Sequence, residues 1–141
     1  DQMLNLFEDR DHSFALILVD VDHFKSVNDT YGHAVGDQIL KKVAAVLTQS
    51  FRSVDYVFRI GGDEFAVIMV EMTSDLSYTI LNKIEAANEA LSHPADGLPP
   101  VTLSVGAAFI DRPNPEKSLF QDADTALYYV KEHGRRNCRI F

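Results

Sequence analysis

The hydrophobic pattern of the chain switches repeatedly between strand and helix periods. Residues 14–19, FALILV, form a continuous apolar run ending in acid, the pattern of a strand buried on both faces. A short helix follows over residues 23–29, then a turn punctuated by glycine over 31–36. Across 37–51, Ile39, Leu40, Val43, Val46, Leu47 and Phe51 recur at helical steps and predict an amphipathic helix. Residues 54–60 and 65–70 are two β-rich runs joined by Gly61-Gly62-Asp63-Glu64, which reads as a hairpin. Leu76, Ile80, Ile84, Ala87 and Leu91 trace another helix, opened by Ser74 or Asp75. Three prolines and a glycine make 93–100 a loop. Val101, Leu103, Val105, Ala107 and Phe109 then alternate along a strand. Leu119, Ala123, Leu127 and Val130 mark a last helix between Ser118 as cap and Gly134 as stop, and residues 138–141 form a short final strand. Met3, Leu4 and Phe7 at helical spacing make residues 1–13 the tail of an N-terminal helix.

The resulting order, βααββαβαβ, specifies an α/β (α+β) domain with a mixed five-stranded central sheet flanked by helices. The run 14–19, which does not alternate, belongs at its centre. Neither an internal repeat nor a low-complexity tract breaks the chain, so its 141 residues read as a single domain.

Composition narrows the function classes. Hydrophobic residues make up 46% and charged residues 24%, which is globular composition. The one cysteine, Cys138, excludes an intrachain disulfide framework and a zinc cluster. No apolar run approaches the roughly 20 residues of a membrane span, so no membrane segment is expected in this chain. Thirteen Lys and Arg against 21 Asp and Glu leave a net charge of −8, which argues against nucleic acid as partner. An acidic domain that handles a phosphorylated ligand needs a bound cation or a local basic cluster.

Two acidic groups stand at strand ends: Asp20-Val21-Asp22 after the first strand, and Asp63-Glu64 at the hairpin tip. Carboxylates there are too costly to leave dry and unpaired. With the hairpin beside the first strand, Asp20 and Asp63 converge on a volume suited to Mg²⁺, a hard ion that prefers oxygen ligands. The helix start at His23-Phe24-Lys25 turns free amides outward as a phosphate cradle. Gly61 and Gly62 permit close approach of a ligand and tolerate positive φ. Together these features suggest metal-assisted chemistry on a nucleoside triphosphate. Taken singly, each has an ordinary reading: a solvated loop, a hairpin turn, a surface histidine at His33, and a surface ion pair between Arg52 and Asp55.

Jointly they resemble a known family. RIGGDEF at 59–65 and DVDHFKSVNDTYGHAVGD at 20–37, with LSVG at 103–106 and ADTALY at 123–128, are similar to the motifs of the GGDEF domain of diguanylate cyclases. The resemblance spans residues 14–137 and implies the fold shared with palm-like nucleotide cyclases. It further implies that two GTP molecules, one per subunit of a homodimer, are joined into cyclic di-GMP with loss of two pyrophosphates. Asp20, the Val21 carbonyl and Asp63 match the ligands of Mg²⁺ or Mn²⁺. Asp63 and Glu64 match the proton-accepting position, and Lys25 the residue that stabilises transition-state charge. Asn28 and Asp37 match the guanine readers. His23, Phe24, His33, Gly61 and Gly62 fall at substrate contacts, and Lys131 and Arg135, one helical turn apart, match the triphosphate grip.

Arg52 and Asp55 match the family's RxxD product-inhibition site, where arginine stacks on a guanine and forks onto its acceptor edge. Three apart near a helix end, the two are expected to face one solvent patch. The alternative is a catalytically idle module that senses GTP or cyclic di-GMP. The family's segment before the first strand has no counterpart in residues 1–13, so the upstream regulatory region is expected to be absent. The expected location is cytoplasmic, with any membrane tether in that missing region.

Overall fold

The computed structural model describes residues 13–141. The helical tail expected over residues 1–13 therefore lies outside the described residues, apart from Ser13. Strand β1 runs Phe14–Val21 and is buried throughout. It is two residues longer than the apolar run, because Asp20 continues the pairing, opposite Glu64 on one side and Ser104 on the other. After it come α1 (Phe24–Tyr31), α2 (His33–Ser50), β2 (Tyr56–Arg59), β3 (Glu64–Val70), α3 (Ser77–Ser92), β4 (Leu103–Phe109), α4 (Leu119–Glu132) and β5 (Asn137–Ile140).

The sheet order is β2-β3-β1-β4-β5, with β1 at the centre as expected. Strand β1 is antiparallel to both β3 and β4, and only β4 and β5 run parallel. Its alternate residues feed two cores. Ala15, Ile17, Val19 and Val21 pack towards Ile39, Val43, Leu47, Ile80 and Ile84 of α2 and α3. Phe14, Leu16 and Leu18 pack towards Leu119, Ala123 and Leu127 of α4. Helices on both faces explain the unbroken apolar run, even though both neighbours of β1 are antiparallel. The period of two continues past Leu18, so the Asp20 side chain falls on the α4 face.

The open turn expected over 31–36 is not there. Gly32 alone, with φ 93°, separates α1 from α2, and its N–H donates to Asn28 O at 2.9 Å. Gly36 lowers helix propensity and so reads as turn, yet it is buried inside α2, where tertiary packing decides. Ser74–Leu76 likewise makes a 3₁₀ turn, and α3 starts only at Ser77. The Ser118 cap is as expected: its Oγ accepts from Gln121 N–H at 3.1 Å, and the Gln121 side chain accepts from Ser118 N–H.

Helix α4 rests directly on β4 at Gly106. A Cβ there would lie 2.2 Å from Leu127 N and 2.4 Å from Ala123 O, both backbone atoms that cannot give way alone. Gly106→Ala should therefore lift α4 off the sheet and cost about 3 kcal/mol of unfolding free energy. Urea denaturation checks this, and a midpoint unchanged from the parent protein contradicts it.

Candidate functional site

At the carboxyl end of β1 a buried carboxylate meets a lysine from α4. Asp20, 7% exposed, pairs through Oδ2 with Lys131 Nζ. Its Oδ1 is enclosed and has no hydrogen-bond partner among the described residues. Burial pushes the Asp20 carboxyl up, Lys131 pulls it back, and the charges of Asp63 and Glu64 push it up again, so that the net direction is upward. Burial works against the Lys131 ammonium, but Asp20 foremost, then Glu64 and Asp63, raise its pKa above the usual lysine range. The hairpin tip is held beside this pair by Val21 N–H, which donates to Asp63 O at 3.1 Å. Asp63 is half-buried and Glu64 exposed.

No three His, Cys, Asp or Glu side chains gather as a ready metal site among the described residues. The cluster offers the carboxylates of Asp20 and Asp63. That donor set fits a hard dication that keeps water and substrate oxygens as its other ligands. The orphaned Asp20 oxygen is the atom such an ion would satisfy.

Asp22, two residues on, is a different kind of acid. Its Oδ1 accepts from Ser104 Oγ at 2.6 Å, and its Oδ2 from Thr102 Oγ1 at 2.7 Å and Arg136 N–H at 3.2 Å. Arg135 Nη1 lies 3.9 Å from Oδ1. These partners leave Asp22 a structural anchor for the turn after α4. That turn is strained, with Gly134, Arg135 and Arg136 successively at φ 98°, 61° and 46°. Lys131 and Arg135 are thus not one helical turn apart as expected. The helix ends at Glu132, and Arg135 is placed by the left-handed turn. Arg136 reaches the other way, to Glu89 at 3.3 Å.

His23 has φ 56° and no side chain caps α1; the first intrahelical bond is Val27 N–H to His23 O at 3.2 Å. The amides before it have no intrahelical acceptor, so they are free to bind an anion. Phe24 is buried against α2, whereas Lys25 and His33 are exposed outside the carboxylate cluster. Asn28 and Asp37 sit on facing helices, Asp37 exposed and lining a cavity of about 450 Å³ with Lys41, Thr48 and Arg59.

Gly61 and Gly62 are not at positive φ, so the freedom they offer is not used in the turn itself. What remains is space: a Cβ on Gly62 would meet no described atom within 4 Å. The turn is held instead by Arg59, whose Nε and Nη2 donate to Gly61 O at 2.9 Å and Gly62 O at 2.8 Å. Arg59 and Asp22 are the site-shaping residues that the sequence reading left without a role. The signal for Arg59 was its place two residues before the glycine pair; Asp22 was marked as a strand-end acid, but its partners, some eighty residues away, could not be read from the chain.

Arg52 and Asp55 lie at the far end of the hairpin. Arg52 forks onto Asp55 through Nε (3.1 Å) and Nη2 (2.8 Å), and Nη2 also donates to Val70 O at 2.6 Å. Val70 N–H donates back to Asp55 Oδ1 at 3.3 Å. The two do not share a solvent patch: the Asp55 side chain is fully covered, and only Arg52, 41% exposed, faces water.

Comparison with known proteins shows the family and the fold. A family model described as diguanylate cyclase, GGDEF domain, matches residues 1–137. Diguanylate cyclase DosC of Escherichia coli is 36% identical over 129 residues, covering 90% of this chain and 28% of its own length. Diguanylate cyclase DgcS of Shewanella oneidensis is 40% identical over 126 residues, covering 89% and 41%. The chain thus spans under half the length of these curated relatives. Among solved structures, the GGDEF domain of DgcB from Caulobacter crescentus in complex with c-di-GMP superposes with a TM-score of 0.80 at 28% identity, covering 99% of this chain and 84% of that one. The GGDEF domain of YfiN from Pseudomonas aeruginosa gives 0.81 at 32%, covering 99% and 88%.

The two neighbouring acids should respond oppositely to truncation. Asp22→Ala strands two hydroxyls and an amide, and should cost about 3 kcal/mol. Asp20→Ala removes a buried charge with an unpartnered oxygen, and Lys131 can turn to water, so stability should stay within about 0.5 kcal/mol or rise. Thermal unfolding without added metal measures both, and equal destabilisation would refute the distinction.

Proposed function

Because the chain belongs to the GGDEF family of diguanylate cyclases, we propose that it condenses two GTP into cyclic di-GMP and two pyrophosphates as the catalytic half-site of a homodimer. The observation that carries this reading is the buried Asp20 carboxylate, unsatisfied at Oδ1, beside Asp63 and under Lys131. A carboxylate kept dry and incompletely paired costs stability without metal, as expected of a group reserved for a ligand. Asp20, Asp63 and the Val21 carbonyl would hold Mg²⁺ or Mn²⁺, which would offset triphosphate charge and polarise the α-phosphate.

The residues divide the remaining work. The first-turn amides at His23 and Phe24 take phosphate oxygens, and Lys131 and Arg135 grip the triphosphate. Asn28 and Asp37 read guanine, Asp37 accepting from N1–H and the 2-amino group. His33 lies along the substrate, and the open space over Gly61 and Gly62 admits it. The 3′-hydroxyl oxygen of one GTP attacks the α-phosphorus of the other. Its proton passes to Asp63, with Glu64 adjacent, as the bond to the pyrophosphate oxygen breaks. Lys25 offsets charge on the transferring phosphoryl group. The same attack with the two nucleotides' roles exchanged closes the ring and releases the second pyrophosphate. No described helix is long and apolar enough to cross a membrane, and the GTP substrate puts the domain in the cytoplasm.

Arg52 and Asp55 supply product feedback. The fork to Asp55 and the bond to Val70 O hold the guanidinium flat and half-exposed, ready to stack on a guanine of the product. The length of β3, about 20 Å, separates this site from the hairpin tip, so product there does not occupy the GTP site.

Incubation with GTP and Mg²⁺ should yield cyclic di-GMP by chromatography. Asp20→Asn or Asp63→Asn should lower the rate by at least about 100-fold in a folded protein. Near-parental turnover in either would remove the metal assignment. Arg52→Ala should relieve product inhibition with the initial rate unchanged, and excess GTP should not relieve it in the parent protein. Inhibition that GTP overcomes would mean that product binds in the substrate site.

A further inference from the structure

Gly36 sits inside α2 with its N–H bonded to Gly32 O at 3.1 Å, in a backbone conformation that any residue adopts. At such a position glycine costs about 1 kcal/mol relative to alanine, so its presence needs another cause. Space supplies the cause. A Cβ on Gly36 would fall 1.8 Å from Asn28 Oδ1, 3.0 Å from Asn28 Cγ and 3.2 Å from Phe24 Cζ. Asn28 projects from α1 into this gap, and its Oδ1 is enclosed there without a hydrogen-bond partner among the described residues. A buried amide oxygen without a partner is unfavourable, and an asparagine free to turn would carry it to water. The close approach of α1 to α2 over a residue with no side chain holds it in place.

We propose that Gly36 is the positioning residue for base recognition: by leaving room for one end of the Asn28 carboxamide, it fixes where the other end meets guanine. This rests on the reading of Asn28 as a guanine contact. The next residue, Asp37, is exposed on the same helix turn, so one dipeptide places both polar groups that would read the base. A methyl group at 36 must push the Asn28 amide away by more than about 1 Å. A displacement of that size breaks hydrogen bonds to a planar base and leaves the triphosphate grip at Lys131 and Arg135 untouched. Base discrimination should fall while phosphate affinity holds.

The test is calorimetric binding of the α,β-methylene analogues of GTP and ATP to the protein and to Gly36→Ala, Asn28→Ala and the double variant. Gly36→Ala should weaken the guanosine analogue by at least about tenfold and change the adenosine analogue by less than about threefold. Asn28→Ala should give a similar loss, and the double variant should bind no worse than Asn28→Ala alone. Equal loss for both nucleotides, or full guanosine affinity in Gly36→Ala when Asn28→Ala has lost it, overturns the positioning role. Full affinity in Asn28→Ala sinks the guanine reading of that residue, and the positioning role with it. If Gly36→Ala alone does not fold, the double variant should, since the atom it collides with is gone; a double variant equally unfolded overturns the proposal.

Discussion

The ion pair between Asp20 and Lys131 joins the buried end of the central strand to α4. It forms because β1 continues in register past its apolar run, so that Asp20 follows Phe14, Leu16 and Leu18 onto the α4 face. Helix α4 must then lie close enough for a lysine on its last turn to reach. Gly106 permits this by bringing backbone against backbone, and the capping box at Ser118 sets where the helix begins. The pair is an incomplete solution to burying a charge. One Asp20 oxygen has Lys131, the other has no partner among the described residues, and Asp63 and Glu64 add like charge nearby. A cation would complete it.

Asp20 and Asp22 show how two identical side chains, two residues apart, acquire different tasks. The strand ends between them. Asp22 therefore meets the hydroxyls of Thr102 and Ser104 and the amide of Arg136, and its lone pairs are spent on protein. Those contacts offset the strain of three successive left-handed residues, which turn the chain from α4 into β5 and set Arg135 beside the acids. Asp22 thereby fixes the turn that carries Arg135 and Arg136, while Asp20 keeps one oxygen unsatisfied among the described residues.

The hairpin links the two ends of the molecule mechanically. At its tip Arg59 clamps the Gly61 and Gly62 carbonyls, and Val21 N–H ties Asp63 to β1. At its base Arg52 and Asp55 fasten the approach to β2 onto Val70, the last residue of β3. Whatever binds Arg52 therefore acts on the strand that begins beside Asp63. A continuous strand paired on both sides is stiff, which suits it to carry a restraint over its length.

Most of the architecture was legible in the chain because it rests on period. The apolar run of 14–19, the helical stripes and the Gly-Gly turn each determine an element locally, and their order determines the layers. The motifs RIGGDEF and DVDHFKSVNDTYGHAVGD carried the resemblance that identified the family, whereas the acids at strand ends by themselves said only that a cation or basic partner was needed. Sequence alone misjudged residues 31–36, where two glycines look like a turn but one of them is a packing gap within a helix. It also misjudged Asp55, whose burial under Arg52 depends on β3 lying alongside. Tertiary packing decided what remained: that Lys131 meets Asp20, that Asp22 is used up by Thr102 and Ser104, and that Asn28 of one helix is wedged over Gly36 of the next. Local periodicity tells which face a residue occupies, but only the packed tertiary structure brings a partner to that face, and for buried polar atoms the partner is what sets the role.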